Sequence, residues 1–426
     1  MNFAFRIIIA IFLLQITHLS FASDKPLWVM DTKLYSDIKL QFVHENEILI
    51  AYLQHVINND RKTNTKESKT NIVILVMSVK TGEMIKSMEF PLEMNKSISD
   101  IKLRFVYENE ILITFFQNDL VEDLKTKALV ALLLHRETGE VIKRVEWQVS
   151  KSLAANEIFI HSLPEGGYLW RIGDKLQALD LSLNIICSKI LTSLTQNQSY
   201  SIIMPRSGYF FIIDQNINGI DRIYEIVDWR TFETVEKISV GVFRIKDIWN
   251  DRLLAIDSLR AGEHRWLLEK RIGDLSWNIF GFNLPRLHDA IFIYNGAIAV
   301  TCSMNDSGLF GPAFWFVMED GWSGSPIFYG KNNRERMGGL LPVKQRPIIA
   351  VIGYSGSRIR EFLDIDSVRK SWIDVWDIKS QQRLLRTKNE KDVIGSALSP
   401  YGLNIVRLSK QKLEMYAIPE TPAKKK

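Results

Sequence analysis

Two stretches set a serine among glycines as a nucleophile turn would: Gly321-Trp322-Ser323-Gly324-Ser325 and Gly353-Tyr354-Ser355-Gly356-Ser357. A strained nucleophile elbow needs glycine at the fifth position and a strand-turn-helix frame that leaves the hydroxyl exposed. Serine holds the fifth position in both and no helical pattern follows, so both read as turns. Gly338-Gly339 lacks the Lys-Ser/Thr and the helix of a phosphate cradle. The seven histidines are scattered, none at metal-ligand spacing, so neither a metal nor a cofactor is expected. Cys187 and Cys302, far apart in apolar runs, read as small buried hydrophobes. No catalytic residue is assigned. The charges that recur are Asp37 and Lys39, repeated as Asp100 and Lys102, and these four are the binding candidates. Their plainer reading is mutual ion pairing on solvated strand ends, worth under about 1 kcal/mol each. Arg265-Trp266 with Trp277 and Arg286 forms either a partner patch or packed tryptophans under snorkelling arginines, and the second is preferred.

The elements that carry these residues follow from an internal repeat. SDIKLQFVHENEILI from Ser36 returns as SDIKLRFVYENEILI from Ser99, and IVILVMSVKTGEMIKSMEF from Ile72 as LVALLLHRETGEVIKRVEW from Leu129. Each copy parses as four short strands, in the first Ile38 to Val43, Ile48 to Leu53, Ile72 to Val79 and Met84 to Phe90. The extra length of the first copy falls between His55 and Asn71, whose Lys, Thr and Asn content predicts a solvated loop. Thr81-Gly82-Glu83 and Thr138-Gly139-Glu140 predict tight turns in which glycine supplies a positive φ. Asp228 and Asp377, each with a hydroxyl three residues on, predict turns pinned by a carboxylate on backbone amides.

First strands are expected near Ile38, Ile101, Ile158, Ser201, Phe243, Ala290, Gly339 and Gly395, at intervals that suit propeller blades. The fold class expected is all-β: a β-propeller of four-stranded antiparallel blades, eight of them, or seven if the unit near Ile158 merges with its neighbour. Arranging such sheets radially packs each against two others and removes most open edges. The last unit offers three strands, so Leu27-Trp28-Val29 is expected to close it as the outer strand. A two-sheet sandwich with a duplication is the competing architecture.

The Thr-Gly-Glu turn followed by an apolar strand ending in Trp147 resembles the repeat of the quinoprotein-dehydrogenase-like propellers. Ser399-Pro400-Tyr401-Gly402 and Val375-Trp376-Asp377 resemble the Ser-Pro-Asp-Gly turn and Trp-Asp end of WD repeats, with Tyr401 in place of the usual Asp. The quinoprotein resemblance would imply an adjacent cysteine pair over a quinone and calcium-ligating acids, and Cys187 and Cys302 do not fit it. Ser303-Met304-Asn305-Asp306-Ser307-Gly308 is similar to a sialidase Asp box but one place out of register. If the first strand is innermost, as in the resembled families, Asp37, Lys39, Asp100 and Lys102 would line a central channel or its mouth.

Lys plus Arg number 54 against 49 Asp plus Glu, and Lys424 to Lys426 supply three of those charges. The body carries no basic stripe interleaved with aromatics, so a nucleic-acid partner is not expected. Arg6, the apolar run Ile7 to Leu14 and Ser20-Phe21-Ala22 read as a secretory signal peptide cut after Ala22. Gln15 and His18 interrupt the run short of the roughly 20 residues a span needs. The expected organisation is a signal peptide over 1–22, one propeller over 23–419 and a basic disordered tail over 420–426, in an extracytoplasmic (periplasmic or secreted) monomer with no membrane span after cleavage. Asn95, Asn197 and Asn305 are glycosylation acceptors if the source glycosylates its secreted proteins. The expected function is a non-catalytic scaffold binding a protein or an envelope or glycan component. Its rival is an extracytoplasmic glycan hydrolase or lyase whose acids come from several blades and leave no linear motif.

Overall fold

The computed structural model describes residues 25–419 apart from 33–35, 61–64, 92–95, 107–108, 120–125, 151–157, 164–165, 192–198, 206, 218–220, 241–242, 258–263, 286, 307–308, 319–320, 323–326, 329–334, 344, 356–369, 389 and 392. The signal-peptide reading and the tail 420–426 lie outside the described residues. Within them the strands group into eight antiparallel sheets, each with a path of four strands in chain order except the last. Sheet I holds Ser36–His44, Glu47–Asp60, Thr65–Ser78 and Met84–Pro91. Sheet II holds Lys96–Val106, Glu110–Asp119, Thr126–His135 and Val141–Ser150. Sheet III runs from Ile158–Ser162 to Ile185–Ile190, sheet IV from Ser199–Ile203 to Thr234–Val240, and sheet V from Phe243–Trp249 to Asn278–Pro285. Sheet VI runs from Leu287–Phe292 to Gly321–Trp322, and sheet VII from Glu335–Pro342 to Gln382–Arg386, each with one further two-residue strand. The unit near Ile158 is thus a sheet of its own.

Strand periodicity explains the arrangement. Side chains alternate across a strand, so a sheet with both faces apolar needs two partners. On the second strand of sheet I, Leu49, Ala51 and Leu53 join an apolar cluster with sheet II, while Ile48, Ile50 and Tyr52 join one with sheet VIII, which spans Val393–Leu398 to Lys412–Ala417 and takes in Trp28–Asp31. Every consecutive pair of sheets shares one such cluster, and the eight clusters form a closed circuit. Each fully buried Leu, Ile or Phe contributes roughly 1.5 to 3 kcal/mol relative to exposure. First strands of neighbouring sheets approach one another, as in sheets I and II or V and VI, which places them on the inside of the ring. This is a β-propeller, and the sheets are its blades.

Blade VIII is composite. Val393–Leu398, Asn404–Ser409 and Lys412–Ala417 are completed by Trp28–Asp31, with Trp28 opposite Met415 and Asp31 opposite Lys412. The expected closing strand is therefore the observed one, displaced by one or two residues. Trp28 Nε1 also donates to the Val79 carbonyl at 2.7 Å, which fastens the closing strand to blade I.

The hairpins before the outer strands are built alike. Gly82 and Gly139 have φ of +72° and +78°, and their amides donate to Ser78 and His135 carbonyls four residues earlier. In blade IV the same place is held by Phe232, at φ +60°, and Asp228 Oδ1 accepts the Arg230 amide at 2.9 Å. In blade VII it is Gln381, at φ +56°, with Asp377 Oδ1 accepting from Ser380 at 2.6 Å. The loop expected between His55 and Asn71 is instead mostly ribbon. Strand pairing continues from Gln54 opposite Asn71 to Asp60 opposite Thr65. The β-branched Val56, Ile57, Thr65 and Thr70 favour continuation of a hairpin already in register.

Candidate functional site

Asp37 and Lys39 lie on the first strand of blade I and Asp100 and Lys102 on that of blade II, so the structure puts all four on the inner strands of adjacent blades. The register shifts between Ser36 and Lys39 and again between Ser99 and Lys102, so both copies bulge at the same point. Lys39 is half-buried; the side chains of Asp37, Asp100 and Lys102 lie outside the described residues. Trp277 packs edge-on against Phe243 with ring centroids 4.8 Å apart, the blade-packing role preferred from sequence, whereas Trp266 is exposed. Arg265 and Arg286 side chains lie outside the described residues. Cys187 is half-buried in blade III and Cys302 belongs to blade VI, which is not a neighbour, so no disulfide joins them. Gly321-Trp322 is a two-residue strand, and Ser323 to Ser325 are not described.

Two buried charge clusters had no linear signature. In blade IV, Asp214, 6% exposed, accepts from Ser201 Oγ at 3.1 Å and pairs with Arg222. Ser201 is exposed on the inner strand, and Arg244 on the inner strand of blade V adds to the field. Asp214 Oδ1 and Arg222 Nε are both buried without a hydrogen-bond partner. Burial pushes the Asp214 carboxyl above the usual carboxylate range, outweighing Arg222 and Ser201. In blade VIII, Arg407, 1% exposed, donates to Glu414, to Thr387 Oγ1 at 3.1 Å and to the Tyr416 hydroxyl at 2.9 Å. Lys412 Nζ reaches Glu414 at 2.9 Å. Burial alone would raise the Glu414 carboxyl, but hydrogen bonds from Arg407 and Lys412 prevail and hold it below its ordinary value. The first cluster keeps unused hydrogen-bonding capacity; the second is saturated.

A third feature lies on the outer rim. The residues that open each outer strand, directly after the hairpin, are apolar and about half exposed in consecutive blades: Met84 and Ile85 in I, Val141 and Ile142 in II, Ile185 and Ile186 in III. Leu27 and Val29 continue the series in VIII, Val235 in IV and Ile279 in V. They form one arc because each outer strand touches the next blade's hairpin. Lys86 Nζ donates to the Glu137 carbonyl, and Lys143 Nζ to Ser182 O and Asn184 Oδ1 at 2.8 Å each. Lys189 Nζ reaches Glu225 at 2.6 Å and Thr234 Oγ1 at 3.1 Å. In blade VII the strand begins one residue earlier, and the positions matching Val141 and Ile142 are Arg383 and the buried Leu384. Scattered apolar residues are normal on protein surfaces, but a run of pairs at one structural position makes a patch of the kind that marks an interaction site.

No protein-family model matches this chain, and no curated protein matches it. Among solved structures it is similar to a prolyl endopeptidase, at 10% identity and a TM-score of 0.51 over 94% of this chain and 52% of the other, so it spans about half of that protein. It is also similar to a eukaryotic initiation factor (7% identity, TM-score 0.47, 87% of this chain and 82% of the other). A further similar structure is an oligogalacturonate lyase from Vibrio parahaemolyticus (11% identity, TM-score 0.46, 86% and 97%). At 10% identity the likeness to the prolyl endopeptidase bears on the fold alone.

Proposed function

We propose that the protein is an exported β-propeller scaffold that docks a protein or cell-envelope component on the outer rim of blades I to III. The recurrence of an exposed apolar pair at the start of three consecutive outer strands carries this reading. Arg6, the apolar run after it and the small residues before Ser23 support export. The test compares wild type with the double variant Val141→Gln/Ile142→Arg, which makes the exposed pair of blade II polar, as baits against extracytoplasmic extract. A component held by wild type and lost by the variant is expected; one held equally by both overturns rim docking. Cell fractionation checks export: the mass of a chain starting at Ser23 is expected outside the cytoplasm, and an intact chain inside the cell contradicts it.

A second reading is favoured by Asp214, a buried acid with raised pKa hydrogen-bonded to a serine on the inner strand. It makes the protein a glycan hydrolase or lyase with Asp214 as general acid. Release of new reducing ends from envelope glycan by wild type but not by Asp214→Asn would support it, and equal release by both would end it.

A further inference from the structure

The hairpins beside the rim tell what chemistry its partner must have. Over 79–85, 136–142 and 180–186, the charged side chains are the acids Glu83, Glu137, Glu140 and Asp180 and the bases Lys80 and Arg136. Arg136 is spoken for, since its Nη1 lies 3.2 Å from Glu47. Of the lysines that follow each apolar pair, Lys86 and Lys143 donate into the next blade's hairpin and Lys189 reaches Glu225 and Thr234 on the next blade's strands, so all three bind neighbouring blades together. Glu83, Glu137 and Glu140 are exposed. The arc therefore alternates apolar pairs with the three exposed acids, and of the two bases in these segments Lys80 is exposed while Arg136 is engaged, which leaves the exposed balance acidic. The three outer strands are also terminal in their sheets, so each offers a backbone edge to an incoming extended chain.

Resting on the rim reading above, we infer that the partner of blades I to III is a basic, apolar-rich polypeptide segment, taken up as an extended chain. Its apolar side chains cover Met84, Ile85, Val141, Ile142 and Ile185, and its lysines or arginines face Glu83, Glu137 and Glu140. An anionic lipid surface meets repulsion from the same acids.

Fluorescein-labelled peptides of alternating Lys and Leu, Glu and Leu, and Ser and Leu serve as probes, with phosphatidylcholine vesicles as a further arm. Anisotropy is read on the full mature chain and on two variants, Glu83→Gln/Glu140→Gln and Ile85→Ser/Ile142→Ser, whose altered side chains are exposed and whose folding is checked by thermal unfolding. The expected result is binding of the Lys/Leu peptide alone, weakened by rising salt and about tenfold by each variant. Equal binding of all three peptides, insensitive to Glu83→Gln/Glu140→Gln but lost in Ile85→Ser/Ile142→Ser, overturns the basic partner while leaving the rim as a docking surface. Vesicle binding lost in Ile85→Ser/Ile142→Ser overturns it in favour of lipid. Absence of any peptide binding overturns it outright, and the capture comparison with Val141→Gln/Ile142→Arg then judges the rim by itself.

Discussion

Blades II and VII share a hairpin, a four-stranded path and a place in one ring, yet their outer strands open differently. Matched by their third-strand partners, Val141 and Ile142 of blade II correspond to Arg383 and the buried Leu384 of blade VII. Blade VII has a physical reason for charge there. Its third strand buries Asp374 completely, and Arg383 and Arg386 lie 3.8 and 3.3 Å from Asp374 Oδ1. Blade II has only apolar residues, Leu132 to Leu134, at the matching part of its third strand and no acid to neutralise. The fold thus tolerates either kind of side chain at the first position of the pair, so an apolar residue there is not imposed by ring packing. A surface feature that the architecture does not require is available for binding.

Removing the charges from blade VII should have the largest effect. Arg383→Leu/Arg386→Leu removes two cations that face buried Asp374, whose Oδ2 keeps the Trp372 indole, and is expected to cost up to about 5 kcal/mol in denaturant unfolding; a loss under about 1 kcal/mol would break the explanation of why blade VII differs. Next comes Glu414→Gln, which takes from buried Arg407 the nearer of its two anions, leaving Glu390 at 3.9 Å, and should cost roughly 3 kcal/mol at neutral pH. The pH dependence of the two buried acids has opposite sign. Glu414 is depressed in the fold, so its contribution is present above the unfolded carboxylate value and is lost as pH falls through the folded one. Asp214 is raised, so its ionisation in the fold costs stability as pH climbs from the unfolded value through the folded one. Relative to wild type, Glu414→Gln should therefore lose ground with rising pH while Asp214→Asn gains it, and parallel curves would contradict the contrast. Exchanging the turn residues is a smaller test. Gly139→Gln should destabilise, and Gln381→Gly stabilise, by about 1 kcal/mol each, because both positions hold a positive φ. Equal signs would mean the two hairpins are not equivalent. Least of all, Val141→Gln/Ile142→Arg should shift thermal unfolding by no more than about 0.5 kcal/mol equivalent; a clear loss would make the pair part of the core.

The fold was legible because its signals are local and repeated. Ser36 to Ile50 and its copy at Ser99 set the unit, Gly82 and Gly139 mark its last hairpin, and Trp28 has no other place to pair. The ribbon beyond Gln54 was misread because Lys, Thr and Asn content signals solvent exposure, which a two-stranded ribbon has as well as a loop. Arg407 and Glu414 could not be found in advance. Each sits alone in an apolar run, and only strand register puts them opposite one another. Asp214 and Arg222 meet the same way, from different strands of one blade. The rim was partly readable, since an apolar pair follows Thr-Gly-Glu in both clear copies, but exposure of both members emerges only when the ring is assembled. Of the four charges singled out first, position on the inner strands of blades I and II was foreseeable from the repeat.

The most direct test of rim docking places a photo-crosslinking amino acid at Ile142 in one chain and at Gln382 in another, then irradiates cells that produce each at native level. The account predicts a discrete adduct from position 142 and none from 382. Adducts of equal yield from both positions, or from neither, would contradict it.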